Sequence, residues 1–435
     1  MKRVLIISYY WPPAGGISVL RILKFVKYLR RFGWEPVVCV PEGADYIYED
    51  HNNFKDIPDN ITVLKTKIIE PFKAFKLLSG RKKSDTNNPV YGNNAKKSFI
   101  DNFAIWIRGN FFIPDARAMW IKPTVKFLSK YIEENNIDAI LTYGPPHTNT
   151  MIGQKLAEKH KIPWIAEFMD PWTQVDYYKL LKISKWADKR HQKMEQKVFK
   201  TAAKITIASP TWAKDLEAIG AKNVEVIYYG YDEDDFKDLK KQEHSDFVIS
   251  HTGILGKDRK PDVLFKVLKD LKYEFPGFKE KLKIKFAGPV EQCVKDSIIS
   301  NGLKENYFEL GNIPRKEALT LNLSSQILIL PINKADNAKG RIPGKLYEYL
   351  RAKVPILCFG PTDGDVAKIL KDTNVGITLP YNNYEKIKQF IIDIFTNKES
   401  LRIDFNTSIF TNEYQIKRIA NFLDEVSCNS QNIIK

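Results

Sequence analysis

Cysteine is scarce in this chain of 435 residues, and the four present, Cys39, Cys293, Cys358 and Cys428, stand far apart and mostly inside apolar runs. That spacing suits neither a disulfide framework nor a zinc site, and a reducing cytoplasm is the simpler reading. Long apolar stretches are missing too. No run of 18 apolar residues occurs, and the first short one, residues 4–8, is too brief for a signal peptide or a membrane span. A membrane, if met, is met from one side. Acidic side chains are outnumbered, 52 against 68 Lys and Arg, for a formal charge of +16. Residues 1–240 hold 38 basic and 28 acidic side chains, so +10 of that excess falls in the first part. The balance points to anionic partners: phosphorylated small molecules, nucleic acid or an acidic membrane surface. Nucleic acid is disfavoured, because no zinc finger, RNP motif or paired aromatic platform appears and the cations are spread over both halves. No G-x-G-x-x-G follows the first strand, which excludes the dinucleotide fingerprint. No D-x-D pair follows a strand either; Asp232 to Asp235 lies in a charged stretch, residues 230–246, that reads as a linker. No bound metal or other cofactor is therefore required.

What is present is an alternation of short β-branched runs with helical stretches, in a chain too long for one core. Residues 4–8 read as a buried strand. The Pro- and Gly-rich loop 9–16 follows, then a helix over 17–32 and a second strand over 34–40. In such a βαβ unit Gly15 and Gly16 fall at the carboxyl edge of a parallel sheet, where ligands bind. Residues 65–97, rich in lysine and polar side chains, read as a mobile insertion. Beyond them Phe99, Phe103, Trp106 and Ile107 form an apolar helical face flanked by cations, which either packs into a core or lies in a lipid interface. Strands at 139–142 and 163–166 end in Gly144-Pro145-Pro146-His147 and Asp170-Pro171-Trp172. His147 is either a structural histidine or a site residue, and Asp170 either a turn residue or a catalytic acid at a strand end. A cation-studded helix spans 179–204, read as a solvated face or an anionic-lipid contact, and strands at 205–209 and 224–228 complete the first sheet.

A second alternation begins at residue 247. Its first strand runs into Thr252-Gly253-Ile254-Leu255-Gly256-Lys257-Asp258-Arg259-Lys260, a cationic glycine loop before a helix. Short strands follow at 284–289, 308–311 and 327–331. Then Lys339-Gly340-Arg341-Ile342-Pro343-Gly344-Lys345 opens a helix bearing Glu348 one turn past Gly344. The start of a helix collects unpaired N–H groups and the positive end of its dipole, which suits a phosphate, and a carboxylate one turn on can accept from a ribose diol. A strand at 354–359 and another at 376–379 precede closing helices, the last roughly over 413–426.

Taken together, Trp11-Pro12-Pro13 with Gly15, Gly16 and Arg21, the Pro-Pro-His147 and Asp170-Pro-Trp loops, Thr252-Gly253 with Arg259 and Lys260, and Pro343-Gly344-Lys345 with Glu348 resemble the bacterial family 4 glycosyltransferases. The resemblance implies an α/β GT-B fold: two Rossmann-like doubly wound domains with an interdomain cleft, and a C-terminal helix crossing back to the first. On that basis residues 1–238 are expected to bind the acceptor, 239–410 the nucleotide-sugar, and 411–435 to return to the first domain. It further implies a UDP- or GDP-sugar donor, a saccharide or lipid-linked acceptor of cell-surface polysaccharide or glycolipid synthesis, and transfer with retention. Gly15, Gly16, Gly253, Arg259, Lys260, Pro343, Gly344, Lys345 and Glu348 would bind the donor; Asp170, His147, Arg259 and Lys260 would be catalytic. Gly340 stands where the family's first glutamate of E-x7-E belongs, so contact with the donor sugar would fall to Lys345 or nearby N–H groups. A cytoplasmic protein, peripheral on the inner face of an anionic membrane, is expected. A nucleotide-sugar epimerase or phosphorylase, a non-catalytic nucleotide binder and a nucleic-acid-binding protein are the alternatives.

Overall fold

The computed structural model describes residues 1–70, 99–397 and 406–433. Its contacts divide the chain into two compact units, Met1–Tyr228 with Glu413–Lys435, and Tyr229–Asn412. In the first unit seven parallel strands form one sheet: β1 (Lys2–Ile7), β2 (Trp34–Glu42), β3 (Thr62–Lys67), β4 (Ala139–Gly144), β5 (Trp164–Phe168), β6 (Lys204–Ile207) and β7 (Val224–Val226), in the order β3-β2-β1-β4-β5-β6-β7. Helices cover both faces, which is why β1 is apolar without alternation. Its side chains nonetheless divide by the period of two. Val4 and Ile6 join Ile22 and Val26 of the helix Ile17–Tyr28, while Leu5 and Ile7 join Ile152 and Leu156 of the helix His147–His160. The last helix, Asn412–Ile433, belongs to this unit: Ile416, Ile419 and Leu423 pack in the same cluster as Val4 and Ile6.

The second unit repeats the plan with six parallel strands: β8 (Phe247–Thr252), β9 (Leu282–Ala287), β10 (Tyr307–Gly311), β11 (Ile327–Pro331), β12 (Ile356–Phe359) and β13 (Gly376–Leu379), ordered β10-β9-β8-β11-β12-β13. Both sheets reverse their strand order beside the first strand, between β1 and β4 and between β8 and β11. At such a switch point the loops leaving adjacent strands diverge and open a crevice at the carboxyl edge.

Several expectations are corrected. Residues 65–67 belong to β3 rather than to an insertion; residues 71–97 of that stretch lie outside the described residues. The cationic helix is Lys185–Thr201, with a separate 3-10 turn at Asp176–Leu181 before it. Phe103, Trp106 and Phe111 of the helix Phe99–Phe111 are exposed, so their rings do not pack into the core; Ile105 does. Finally, residues 230–236 are no linker. Tyr231 donates its N–H to Phe410 O (2.9 Å) and accepts from Asn412 N (2.7 Å), and Asp232 and Phe236 are buried. Those bonds fasten the segment into the second unit, which therefore begins at Tyr229 rather than at 239.

Candidate active site

In the first unit the loop after β1 turns on two glycines with different duties. Gly16 has φ of 90° and stands exposed at the start of the helix Ile17–Tyr28. Gly15 instead permits a close approach: a Cβ there would fall 2.1 Å from Tyr48 Cδ1. Its N–H donates to Tyr48 O at 2.9 Å, so the expected use of this amide on a phosphate is overturned. Arg21 is also inward-facing. It is buried, donates to Glu167 Oε1 through Nε (2.9 Å) and Nη2 (2.7 Å), and reaches the Tyr228 carbonyl at 2.9 Å. Thr206 Oγ1 donates to the other carboxylate oxygen at 3.2 Å. The ion pair thus locks helix, β5 and the end of β7 together.

The loops after β4 and β5 are built as one piece. Pro146 cannot donate and has no capping side chain, so Asp115 supplies the cap from elsewhere, accepting from Thr148 N and Thr148 Oγ1, both at 2.8 Å. His147, the first residue of that helix, lies flat on Trp172, with centroids 4.2 Å apart and planes at 4°. Burial, aided by nearby His191, pulls its imidazole down to about 3, so the ring stays neutral at physiological pH. Trp172 Nε1 donates to His191 Nδ1 at 3.1 Å, and buried Glu195 accepts from Thr173 Oγ1 at 2.6 Å. These bonds hold the Asp170 loop from beneath. Asp170 itself is half-buried and close enough to bear on Tyr10, whose phenol is pushed up by burial first and by Asp115 and Asp170 against Arg117.

In the second unit the loop after β8 meets the start of the helix Lys345–Ala352. Buried Tyr349 of that helix donates to or accepts from Thr252 Oγ1 at 3.2 Å and takes Thr252 N–H at 3.0 Å, pinning the turn. Gly253, at φ 117°, leaves room for the Lys345 ammonium; a Cβ would sit 2.4 Å from Nζ. His251 Nδ1 lies 3.0 Å from Ile329 O, and a carbonyl can only accept, so the ring proton is on Nδ1. Its Nε2 therefore accepts, facing Lys345 Nζ at 3.3 Å. Burial first, then the charge of Arg259, pull Lys345 down to about 7, with Glu348 opposing. A half-neutralised amine beside a guanidinium is the electrostatic state expected where an anion is to be received.

Glu348 is held rather than solitary: Arg315 Nη2 bonds Glu348 Oε1 and Asp235 Oδ2, each at 2.8 Å. Arg259 keeps company with Asp258 at 2.9 Å. Lys260 turns elsewhere, its ammonium on Asp262 at 2.9 Å. Pro343 and Gly344 form the helix mouth, with Pro343 O accepting from Leu346 N at 2.9 Å. The structure therefore brings Gly253, Arg259, Lys345 and Glu348 into one neighbourhood around His251, and leaves Lys260 outside that cluster. His251, Arg315, Asp235 and Tyr349 went unread in the sequence. Only Tyr349, next to Glu348 on an otherwise core-facing position, carried a signal; nothing marked Arg315.

Residues 232–407 match the family model described as glycosyl transferases group 1. The second unit is a group 1 glycosyltransferase domain, and the protein is a glycosyltransferase. Its fold, the two-domain GT-B arrangement of Rossmann-like units, is shared with sucrose-phosphate synthase from Thermosynechococcus elongatus (TM-score 0.57, 11% identity, covering 100% of this chain and 98% of that one). It is likewise similar to the lipopolysaccharide outer core galactosyltransferase WaaB (0.56, 10%, 97% and 99%) and to a putative UDP-N-acetylglucosamine 2-epimerase from Listeria monocytogenes (0.56, 12%, 96% and 95%). No match was found among the curated proteins. Among the described residues no helix of this glycosyltransferase is long and apolar enough to cross a membrane.

Proposed function

We propose that this glycosyltransferase transfers a sugar, with retention, from a UDP- or GDP-sugar to a lipid-linked saccharide in the synthesis of a cell-surface polysaccharide or glycolipid. One observation carries the donor side: the Lys345 ammonium is seated against Gly253, within the field of Arg259, while Glu348 is oriented by Arg315. In the reaction the bond from the anomeric carbon to the diphosphate oxygen breaks, its electron pair staying on the diphosphate. The acceptor hydroxyl oxygen forms the new bond, and its proton passes to the leaving phosphate oxygen on the same face. Arg259, Lys345 and the backbone N–H of Gly344 neutralise the growing charge, an effect larger in the transition state than in the ground state. Glu348 takes the ribose diol; Asp170 orients the acceptor hydroxyl. The first unit thus serves the acceptor and the second, from Tyr229 to Asn412, the donor. Lys260 stays a candidate for the diphosphate only if its pair with Asp262 opens on binding.

A cytoplasmic enzyme on the inner membrane face suits the exposed rings of Phe103, Trp106 and Phe111, near Lys182, whose ammonium binds Asn102 of the same helix. Flotation with anionic vesicles at low salt tests this; no binding would remove the lipid-linked acceptor from the reading. The donor is tested by thermal shift against UDP- and GDP-sugars, followed by detection of released UDP or GDP with added acceptor. The likeness to a 2-epimerase supports a second reading, epimerisation of the sugar nucleotide, which would show as interconversion of the donor sugar with no acceptor present.

A further inference from the structure

At the carboxyl edge of the first unit lies a cavity of about 210 Å³, walled by Tyr9, Tyr10, Tyr46 and Tyr48 together with Asp45 and Arg117. Its chemistry is set by where the hydroxyls go. Tyr9 Oη donates to Glu70 Oε1 at 2.8 Å and Tyr46 Oη to the Tyr9 carbonyl at 3.2 Å, so both phenols are spent inside the protein. Glu70 also takes the Asp45 N–H at 2.7 Å and stands 3.6 Å from Arg117 Nε. The Tyr9 and Tyr46 rings meet edge to face at 5.6 Å, and the Arg117 guanidinium lies over Tyr9 at 4.6 Å. Tyr48, more than half exposed, rests on Gly15 and closes one side.

Such a cavity presents aromatic carbon on its walls and one carboxylate and one guanidinium at its lining. A phosphate is poorly served, because Glu70 already stands against Arg117 and Asp45 adds a second negative charge. A lipid chain is poorly served by two ionised side chains. A pyranose meets both demands: its axial C–H groups pack on a tyrosine face, and its neighbouring hydroxyls donate to Asp45 and accept from Arg117. The volume, equal to about seven waters, suits one sugar ring and not a nucleotide. We infer that this cavity binds a neutral pyranose, the terminal ring of the acceptor. The inference rests on the reading of the chain as a glycosyltransferase and adds to it the class of acceptor group and the residues that select it.

The test uses saturation-transfer NMR on the full-length protein with the methyl glycosides of glucose, galactose, mannose and N-acetylglucosamine, alongside calorimetric titration with UDP. The expected result is transfer to at least one glycoside, lost in Asp45→Ala and in Tyr48→Ser, with UDP affinity unchanged within about twofold. Transfer that persists unchanged in both variants overturns the assignment, as does binding of none of the four glycosides by a protein that still binds UDP. If the glycosides bind and UDP does not, the sugar pocket stands and the donor reading falls. If neither binds, both fall.

Discussion

At the scale of single residues, Lys345 is the group whose behaviour is most distinctive. In the free protein its ammonium titrates at about 7, because burial and Arg259 disfavour the charge. A diphosphate drawn in beside it favours the charge and raises the value. Binding at about pH 8 therefore takes up a proton, and UDP affinity is highest below pH 7 and declines as the pH rises through it. Calorimetry in two buffers of different ionisation heat should record uptake approaching about one proton per UDP. In Lys345→Met the uptake should vanish and the affinity drop about ten- to a hundredfold, the worth of about 1.5–3 kcal/mol for a hydrogen bond to a charged group. Arg315 offers a different contrast. Its side chain is 42% exposed, so the pair with Glu348 adds about 1 kcal/mol or less to stability. Arg315→Met is thus expected to move the melting temperature little while raising the donor KM severalfold, and Arg315→Lys to recover part of the loss. A fall in melting temperature with an unchanged KM would show that Arg315 serves the fold alone.

At the scale of elements, the buried pair between Arg21 and Glu167 joins a helix to two strands. Removing one partner leaves a buried charge, so Arg21→Met should cost about 3–5 kcal/mol in chemical denaturation. Replacing both, with Glu167→Leu added, should restore much of that, because the unpaired carboxylate is gone. What could be read from the sequence follows the same physics. β1 and β11 were legible because helices cover both sheet faces there, leaving runs such as Ile327-Leu328-Ile329-Leu330 with no polar break. β3 was not. It is an edge strand, Thr62-Val63-Leu64-Lys65-Thr66-Lys67, with lysines turned to solvent and only Thr66 fully buried, so its composition imitates a loop. Of the site, the glycine loops and Glu348 were legible from position alone. The partners that tune them were hidden, since the Lys345–His251 and Glu348–Arg315 contacts join residues far apart in the chain. Gly15 shows the limit from the other side. A glycine in a ligand-facing loop announced close approach, but the approaching group is Tyr48 rather than a phosphate.

At the scale of the molecule, the helix Asn412–Ile433 completes the core of a unit whose sheet was built from the chain's first half. Ile416, Ile419, Ala420 and Leu423 are each nearly or wholly inaccessible. Each isoleucine or leucine side chain so buried is worth about 1.5–3 kcal/mol. Truncation after Asn412 should therefore leave the first unit without its native near-ultraviolet dichroism and prone to aggregate, while the second unit, whose hydrophobic core contains no residue of that helix, keeps its UDP affinity. The route of the chain has a further consequence. The first unit's two loose ends lie side by side, Tyr228 giving its N–H to Gln415 Oε1 at 3.0 Å, and those of the second are likewise knit together by Tyr231 and Asn412. The second unit is thus a cassette inserted in sequence between two adjacent ends of the first. Joined across that gap by a few glycines, the remaining N- and C-terminal pieces have the core they need to fold as an independent unit.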